Sequence, residues 1–267
     1  ANLPKLWQLE KEIRALQDFS ALSDLDSGGE KGANILLEQY ATNPNLAAQM
    51  LYTIEHSFGD LQDRRVADLG CGTGILALGC AMMGAKHVLG VDIDKRALAV
   101  AMENKKHVQP EHPVEFIVGD VREPSCWLKD ENSQTRKIQT VVMNPPFGTK
   151  HNKGIDMIFL REALNLSENA VYSLHKSSTR QHIWKVVKGW GSSPCVIAQL
   201  KFSLPKMYKC HKQQEVTIDV DLWRIQVDGE AALKHNLHQQ YVKATEQSFS
   251  EQKKSTRGKR RRARGRR

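Results

Sequence analysis

The chain contains no apolar run of about 18 residues, so no membrane-spanning helix is expected. Residues 1–10 lack the basic start and apolar stretch of a secretory signal, and none is expected there. Cysteine is scarce: Cys71, Cys80, Cys126, Cys195 and Cys210 are the only five in 267 residues. Their number is odd, and no CxxC or Cys/His pair has metal-ligand spacing. Neither a disulfide framework nor a zinc site is expected, which points to a reducing compartment and to cysteines buried as small apolar residues. There is no internal repeat. Residues 1–252 also carry no charge excess. The ten Lys and Arg of residues 253–267 outweigh the whole net charge of +9, leaving −1 for the rest. The basicity belongs to a tail with almost nothing apolar to fold it.

What is present is ordinary for a globular protein: 40% hydrophobic and 26% charged residues over a length that suits one sizeable domain or two small ones. Leu6, Leu9, Ile13 and Leu16 have helical spacing, which predicts a helix over Leu6–Phe19. Residues 23–32 are polar and Gly-rich, a loop or mobile insert. Asn43 and Pro44 read as the N-cap and first residue of a helix running to Phe58. From Arg64 strands alternate with helices. Strands are expected at Val66–Leu69, Val88–Val91, Val114–Val118, Thr140–Met143 and Val171–Leu174. Helices are expected at Ile75–Met83, Lys95–His107, Asp156–Leu166 and Thr179–Trp190. That alternation predicts a mostly parallel sheet covered on both faces. Val196–Phe202 and Glu215–Val227 have only a loop between them and should pair antiparallel. In the second of these, Val216, Ile218 and Val220 should point inward, and Thr217, Asp219 and Asp221 outward.

Two stretches carry the chemistry. Asp68-Leu69-Gly70-Cys71-Gly72-Thr73-Gly74 ends one strand and opens one helix, so that its backbone can approach a ligand closely. A second strand ends in Asp92, where an acid meets ribose hydroxyls, and a third is followed by Asp120-Val121, placed to meet an adenine edge. Three acids at the ends of three strands fit S-adenosylmethionine better than a nicotinamide. The fourth strand ends in Asn144-Pro145-Pro146-Phe147, at the carboxyl edge where open sheets bind ligands. The amine of a π-system is a weak nucleophile, because its lone pair is delocalised. The Asn144 side-chain oxygen and the Pro145 carbonyl can each accept one N–H bond. Together they favour a pyramidal nitrogen and stabilise the charge that develops there. Pro146 stiffens the loop, and Phe147 can stack on the target ring.

These motifs resemble the methyltransferase-like protein 5 family, eukaryotic adenine-N6 methyltransferases of small-subunit (18S) ribosomal RNA. The matching stretches are Leu36–Thr42 (LLEQYAT), Asp68–Gly72 (DLGCG), Met143–Lys150 (MNPPFGTK) and Val171–Arg180 (VYSLHKSSTR), within a similarity over roughly residues 5–227. The resemblance implies a Rossmann-like class I methyltransferase with a seven-stranded, mostly parallel sheet and an antiparallel C-terminal strand pair. It implies cofactor contacts from Gln39, Thr42, Asp68, Gly70, Gly72, Thr73, Ile75, Asp92, Asp120 and Val121. Catalysis would fall to Asn144, Pro145, Pro146 and Phe147. It further implies a heterodimer with a small zinc-binding methyltransferase-activator subunit. A largely apolar edge strand, Val114–Val118, offers that partner a strand to pair with.

The expected organisation is an N-terminal helix and insert (residues 1–35), the methyltransferase domain (36–227), an extension (228–252) and a disordered basic tail (253–267). Cations near the catalytic loop, namely Lys150, Lys153, Lys176, Arg180, Lys209 and Lys212, with His151, His175, Lys206 and His211, are expected to hold phosphates around a flipped base. The tail reads as an RNA-binding segment or a nuclear address, with activity in nucleus, nucleolus and cytoplasm. Two other readings remain at this point. One is a protein glutamine N5-methyltransferase, which uses a nearly identical Asn-Pro-Pro-aromatic motif. The other is a non-catalytic RNA-binding module. Phe147 in place of Tyr and the basic rim argue against the first, and the intact Asp68, Asp92, Asp120 and Asn144 against the second.

Overall fold

The computed structural model describes residues 3–22, 42–129, 137–148, 152–205 and 215–227. The insert at 23–32, Gln39, Lys150, Lys209, Lys212, the extension and the tail lie outside the described residues.

Seven strands form one sheet: β1 (Arg65–Leu69), β2 (His87–Asp92), β3 (Val114–Val118), β4 (Ile138–Met143), β5 (Ser167–Lys176), β6 (Ser193–Pro205) and β7 (Glu215–Gln226). Their order is β3-β2-β1-β4-β5-β7-β6. The first five run parallel, and β7 inserts antiparallel between β5 and β6. Helices α1 (Leu6–Arg14), α2 (Pro44–Phe58), α3 (Ile75–Met82), α4 (Lys95–Val108), α5 (Ile155–Leu166) and α6 (Arg180–Gly189) complete the fold. None of the described helices is long and apolar enough to cross a membrane.

The two-residue period of the strands splits the core into two layers. Val66, Val88 and Val142 pack with Leu9, Leu51 and Leu78 on one face. Their neighbours Ala67, Leu89 and Val141 pack with Leu160, Ile183 and Trp223 on the other. This double burial explains a correction. Asp221 was expected to face outward, yet it is fully buried, because β7 is an interior strand with packed residues on both faces. The polar residues of a strand mark a solvent face only when one side of the sheet is open.

Other departures are local. The first helix stops at Arg14 instead of reaching Phe19. Asp18 then starts a separate 3₁₀ turn, Phe19–Ala21, by accepting a bond from the Ser20 N–H at 2.8 Å. Short acidic side chains compete in this way with continuation of a helix. α2 is capped as expected: the Asn45 N–H donates to Asn43 Oδ1 at 2.9 Å, and Gly59 closes the helix at φ 64°. Cys71 and Cys80 are buried, but Cys126 and Cys195 are exposed, against the expectation that every cysteine packs inside.

Candidate active site

The carboxyl ends of β1, β2 and β4 surround a cavity of about 230 Å³. Of the ten cofactor residues expected from sequence, nine line it: Thr42, Asp68, Gly70, Gly72, Thr73, Ile75, Asp92, Asp120 and Val121. The tenth, Gln39, is not described. Asn144 and Pro146 also face the cavity. Pro145 is buried, and Phe147 is half-buried next to the lining residue Pro146, edge-on to Phe202 with ring centroids 5.6 Å apart.

The glycine loop is shaped by its own backbone. Gly72 sits at φ 52° and Gly74, the N-cap of α3, at φ 82°, conformations that a β-carbon disfavours. The Gly72 N–H donates to Asp92 Oδ2 at 2.7 Å, and the Asp94 N–H to Asp92 Oδ1 at 2.8 Å. The carboxylate keeps acceptor capacity for a ligand hydroxyl. Burial raises the Asp92 carboxyl above its ordinary pKa, against the backbone N–H groups of Asp94, Gly72 and Ile93. Asp68 lies deeper: the Ala77 N–H donates to its Oδ2 at 2.9 Å, while its buried Oδ1 has no partner among the described residues.

Asp120 differs from the other two acids. The Arg122 guanidinium forks onto its carboxylate and holds it below the usual carboxylate range. Arg122 itself lines the cavity, so an adenine amine reaching Asp120 meets an acceptor already shared with a cation.

Asn144 supplies the most informative geometry. Its Nδ2 donates to Thr42 Oγ1 at 3.0 Å. Its Oδ1 is buried at the cavity wall without a partner among the described residues. Buried amide oxygens are rarely left so, because an unmade bond costs about 1–3 kcal/mol. The open acceptor is what an incoming amine needs. Thr42→Val should release the amide and lower turnover about tenfold, the equivalent of one ordinary hydrogen bond. Cofactor affinity should change far less, and steady-state kinetics with both substrates varied would read the two effects separately.

The basic rim is only partly as expected. Lys153 is exposed. The Lys176 Nζ sits 5.6 Å from the centre of the Phe147 ring. Arg180 sends two nitrogens to the buried Asp221, at 2.6 and 2.7 Å, so much of its charge is already engaged. Burial alone would raise the Asp221 carboxyl, but this fork and the Ser177 hydroxyl bring it below its ordinary value. His175, read from sequence as a rim cation, lies inside β5 and is 1% exposed. There it meets Ser173 Oγ at 2.8 Å and Asp156 Oδ2 at 3.6 Å and cannot reach a phosphate.

Phe19, Ile93, Arg122, Asn152, Ile155 and Phe159 also line the cavity and were not anticipated. Ile93 was within reach of sequence reasoning, since it follows a strand-ending acid; it is half exposed despite its size. Phe19 and Phe159 have no local signal and arrive through tertiary packing.

A strand-ending triad of acids, a glycine loop and an Asn-Pro-Pro-Phe turn on this sheet define a Rossmann-like, S-adenosylmethionine-dependent methyltransferase. Residues 44–170 match the family model described as "Methyltransferase small domain". The chain is 45% identical to the Danio rerio rRNA N(6)-adenosine-methyltransferase METTL5, over 77% of this chain and 95% of that protein. It is 40% identical to the Drosophila melanogaster rRNA N(6)-adenosine-methyltransferase Mettl5, over 82% of this chain and 98% of that one. A Pyrococcus horikoshii crystal structure, described as a candidate RNA methyltransferase, superposes with a TM-score of 0.68 at 29% identity, covering 86% of this chain and all of that one. The chain belongs to the methyltransferase-like protein 5 family of rRNA N6-adenosine methyltransferases. Its methyl donor is S-adenosylmethionine, and the orphaned Asp68 oxygen and the glycine cradle fit that cationic nucleoside.

Proposed function

We propose that this chain methylates the N6 of an adenosine in small-subunit (18S) ribosomal RNA, as a heterodimer with a small zinc-binding activator. The observation that carries the reading is the unpartnered Asn144 Oδ1 in the wall of the donor cavity. The names of the relatives from Danio rerio and Drosophila melanogaster support the substrate class. Asp68, the glycine loop, Asp92 and the Asp120–Val121 corner hold the cofactor, whose sulfonium supplies an electrophilic methyl group. Asn144 Oδ1 and the Pro145 carbonyl accept the two N–H bonds of the target amine and aim its lone pair. Phe147 stacks on the base, and the proton lost from nitrogen passes to solvent. No strong general base is required, because the amine becomes acidic as the N–C bond forms. The base must leave any helix before it enters.

Strand β3 supports the partner assignment. It is one of the two edge strands of the sheet, Val118 on it is 47% exposed, and Met102 on the adjoining α4 is 43% exposed. An uncovered apolar edge invites an added strand. Co-purification of the chain with a small subunit containing stoichiometric zinc is the expected result. The tail, residues 253–267, supports RNA affinity and a nuclear or nucleolar address. Its removal should flatten the salt dependence of RNA binding, by about 0.7–0.9 in slope for each phosphate that is no longer neutralised. An unchanged slope would leave targeting as its role.

The deciding assay offers tritiated S-adenosylmethionine with purified small-subunit RNA or with a peptide-release-factor protein. Label recovered as N6-methyladenosine is expected. Label only in the protein would replace the reading with glutamine methylation.

A further inference from the structure

We infer that Phe19 is a cofactor-site residue, delivered by the N-terminal segment and held in place by Asn104 acting as its positioning residue. The inference rests on the assignment of the cavity to S-adenosylmethionine, and it brings residues outside the matched domain, 44–170, into that site.

Three observations combine. Phe19 lines the cavity together with Asp68, Gly72 and Asp92. Its ring lies against the glycine loop so closely that a β-carbon at residue 72 would meet Phe19 Cζ at 2.5 Å. A side chain at residue 72 would therefore displace the ring as well as strain its own φ. The third observation is the clasp. Asn104 on α4 is 2% exposed and has three bonds across the gap between the two segments. It accepts from the Gln17 N–H at 2.8 Å, donates to the Gln17 carbonyl at 2.8 Å, and donates to the Thr73 carbonyl at 3.0 Å. A buried asparagine inside a helix is unfavourable unless its amide is fully used. Here it ties the N-terminal segment to the glycine loop through one side chain. Leu22, fully buried just beyond the 3₁₀ turn, anchors the other end.

The consequence for binding is direct. The ring shares the lining with the charged and polar Asp92, Asp120, Arg122 and Asn152 and with the apolar Ile93, Ile155 and Phe159. An aromatic ring against the glycine loop excludes water beside Asp92, whose Oδ2 accepts the Gly72 N–H, and so strengthens the attraction of that carboxylate for a cationic ligand. It also adds apolar contact to the bound nucleoside. The ring acts as a cover, so donor and demethylated product should depend on it alike.

The test is calorimetric titration of the full chain with S-adenosylmethionine and with S-adenosylhomocysteine. Phe19→Ala should raise Kd for both by about tenfold, while Phe19→Leu, which restores apolar bulk, should recover most of the affinity. In turnover, KM for the donor should rise while kcat stays within about twofold, since the ring is assigned to donor binding and not to gripping the target amine. Asn104→Leu should weaken binding similarly through release of the segment. The double variant should bind no more weakly than the worse single one, because both changes act on the same ring. Wild-type affinity in Phe19→Ala, or effects that add in the double variant, would overturn the inference. Failure of the unaltered chain to bind either ligand would instead remove the cofactor assignment beneath it. Phe19→Ala removes a half-buried side chain from a surface turn, so the test does not hang on the Asn104 variant folding.

Discussion

Asn144→Ala should lower kcat by about 10²–10³-fold, as when one preorganised hydrogen-bonding group is removed from a transition state. The donor's Kd should stay within about threefold of wild type. The split follows from what the side chain touches. Its Nδ2 is spent on Thr42 and its Oδ1 has no partner among the described residues, so the oxygen is poised for a group that arrives with the substrate. An aromatic amine gains positive charge on nitrogen only as the new bond forms. An acceptor fixed beside it therefore binds the transition state more tightly than the ground state. Single-turnover measurement at saturating RNA isolates this step from release. If the alanine variant turned over at a wild-type rate while binding RNA and donor normally, Asn144 would be a scaffold residue and the acceptor would lie elsewhere. Thr42→Val should show a milder version of the same split, because it frees the amide to rotate without removing it.

Residues whose chemistry is carried by local pattern were legible from sequence alone. Asp68, Gly70, Gly72, Asp92, Asp120 and Asn144 all lie at or just beyond strand ends, and the carboxyl edge of a parallel sheet is where such residues meet a ligand. Strand direction was legible for the same reason, since crossover helices force parallel neighbours and their absence allowed the antiparallel β6–β7 pair. What escaped depends on packing between distant segments. Phe19 and Asn104 are 85 positions apart in chain numbering, and neither sits in a motif. Asp221 was misplaced because an alternating strand looks half exposed until its neighbours on both faces are known. Arg180 and His175 carry the charge type of a phosphate rim, but composition cannot tell a free cation from one bound to a buried acid or from an imidazole enclosed in a strand. The Arg122–Asp120 fork was equally invisible, although the two residues are adjacent but one, because rotamer choice decided it.

Asp68 should make donor binding depend on pH, with affinity rising as pH climbs from about 6 to about 8. Burial is the main reason its carboxyl is pushed up to about 8; the Ala77 N–H opposes this and the charge of Asp92 adds to it. In the free protein near neutral pH the group is therefore mostly protonated. A sulfonium or ammonium brought into the cavity favours the carboxylate, so binding below pH 8 expels a proton. Stability of the free protein follows the opposite course. The unfolded carboxyl titrates near 3.9, so between about pH 4 and pH 8 the folded chain holds a proton that the unfolded chain lacks. Stability from this group falls as pH rises through that window and levels off above it. The melting temperature of the free protein should accordingly drop from pH 6 to pH 8, while the increase produced by the donor grows. Asp68→Asn keeps an oxygen for Ala77 and removes the titration. It should flatten both trends and weaken donor binding by about 30- to 100-fold, roughly 2–3 kcal/mol for the removal of a buried charge partner. Calorimetry at pH 7 in two buffers of different ionisation enthalpy counts the released proton. No release, together with wild-type affinity in Asp68→Asn, would mean that the buried carboxyl serves only the turn into α3.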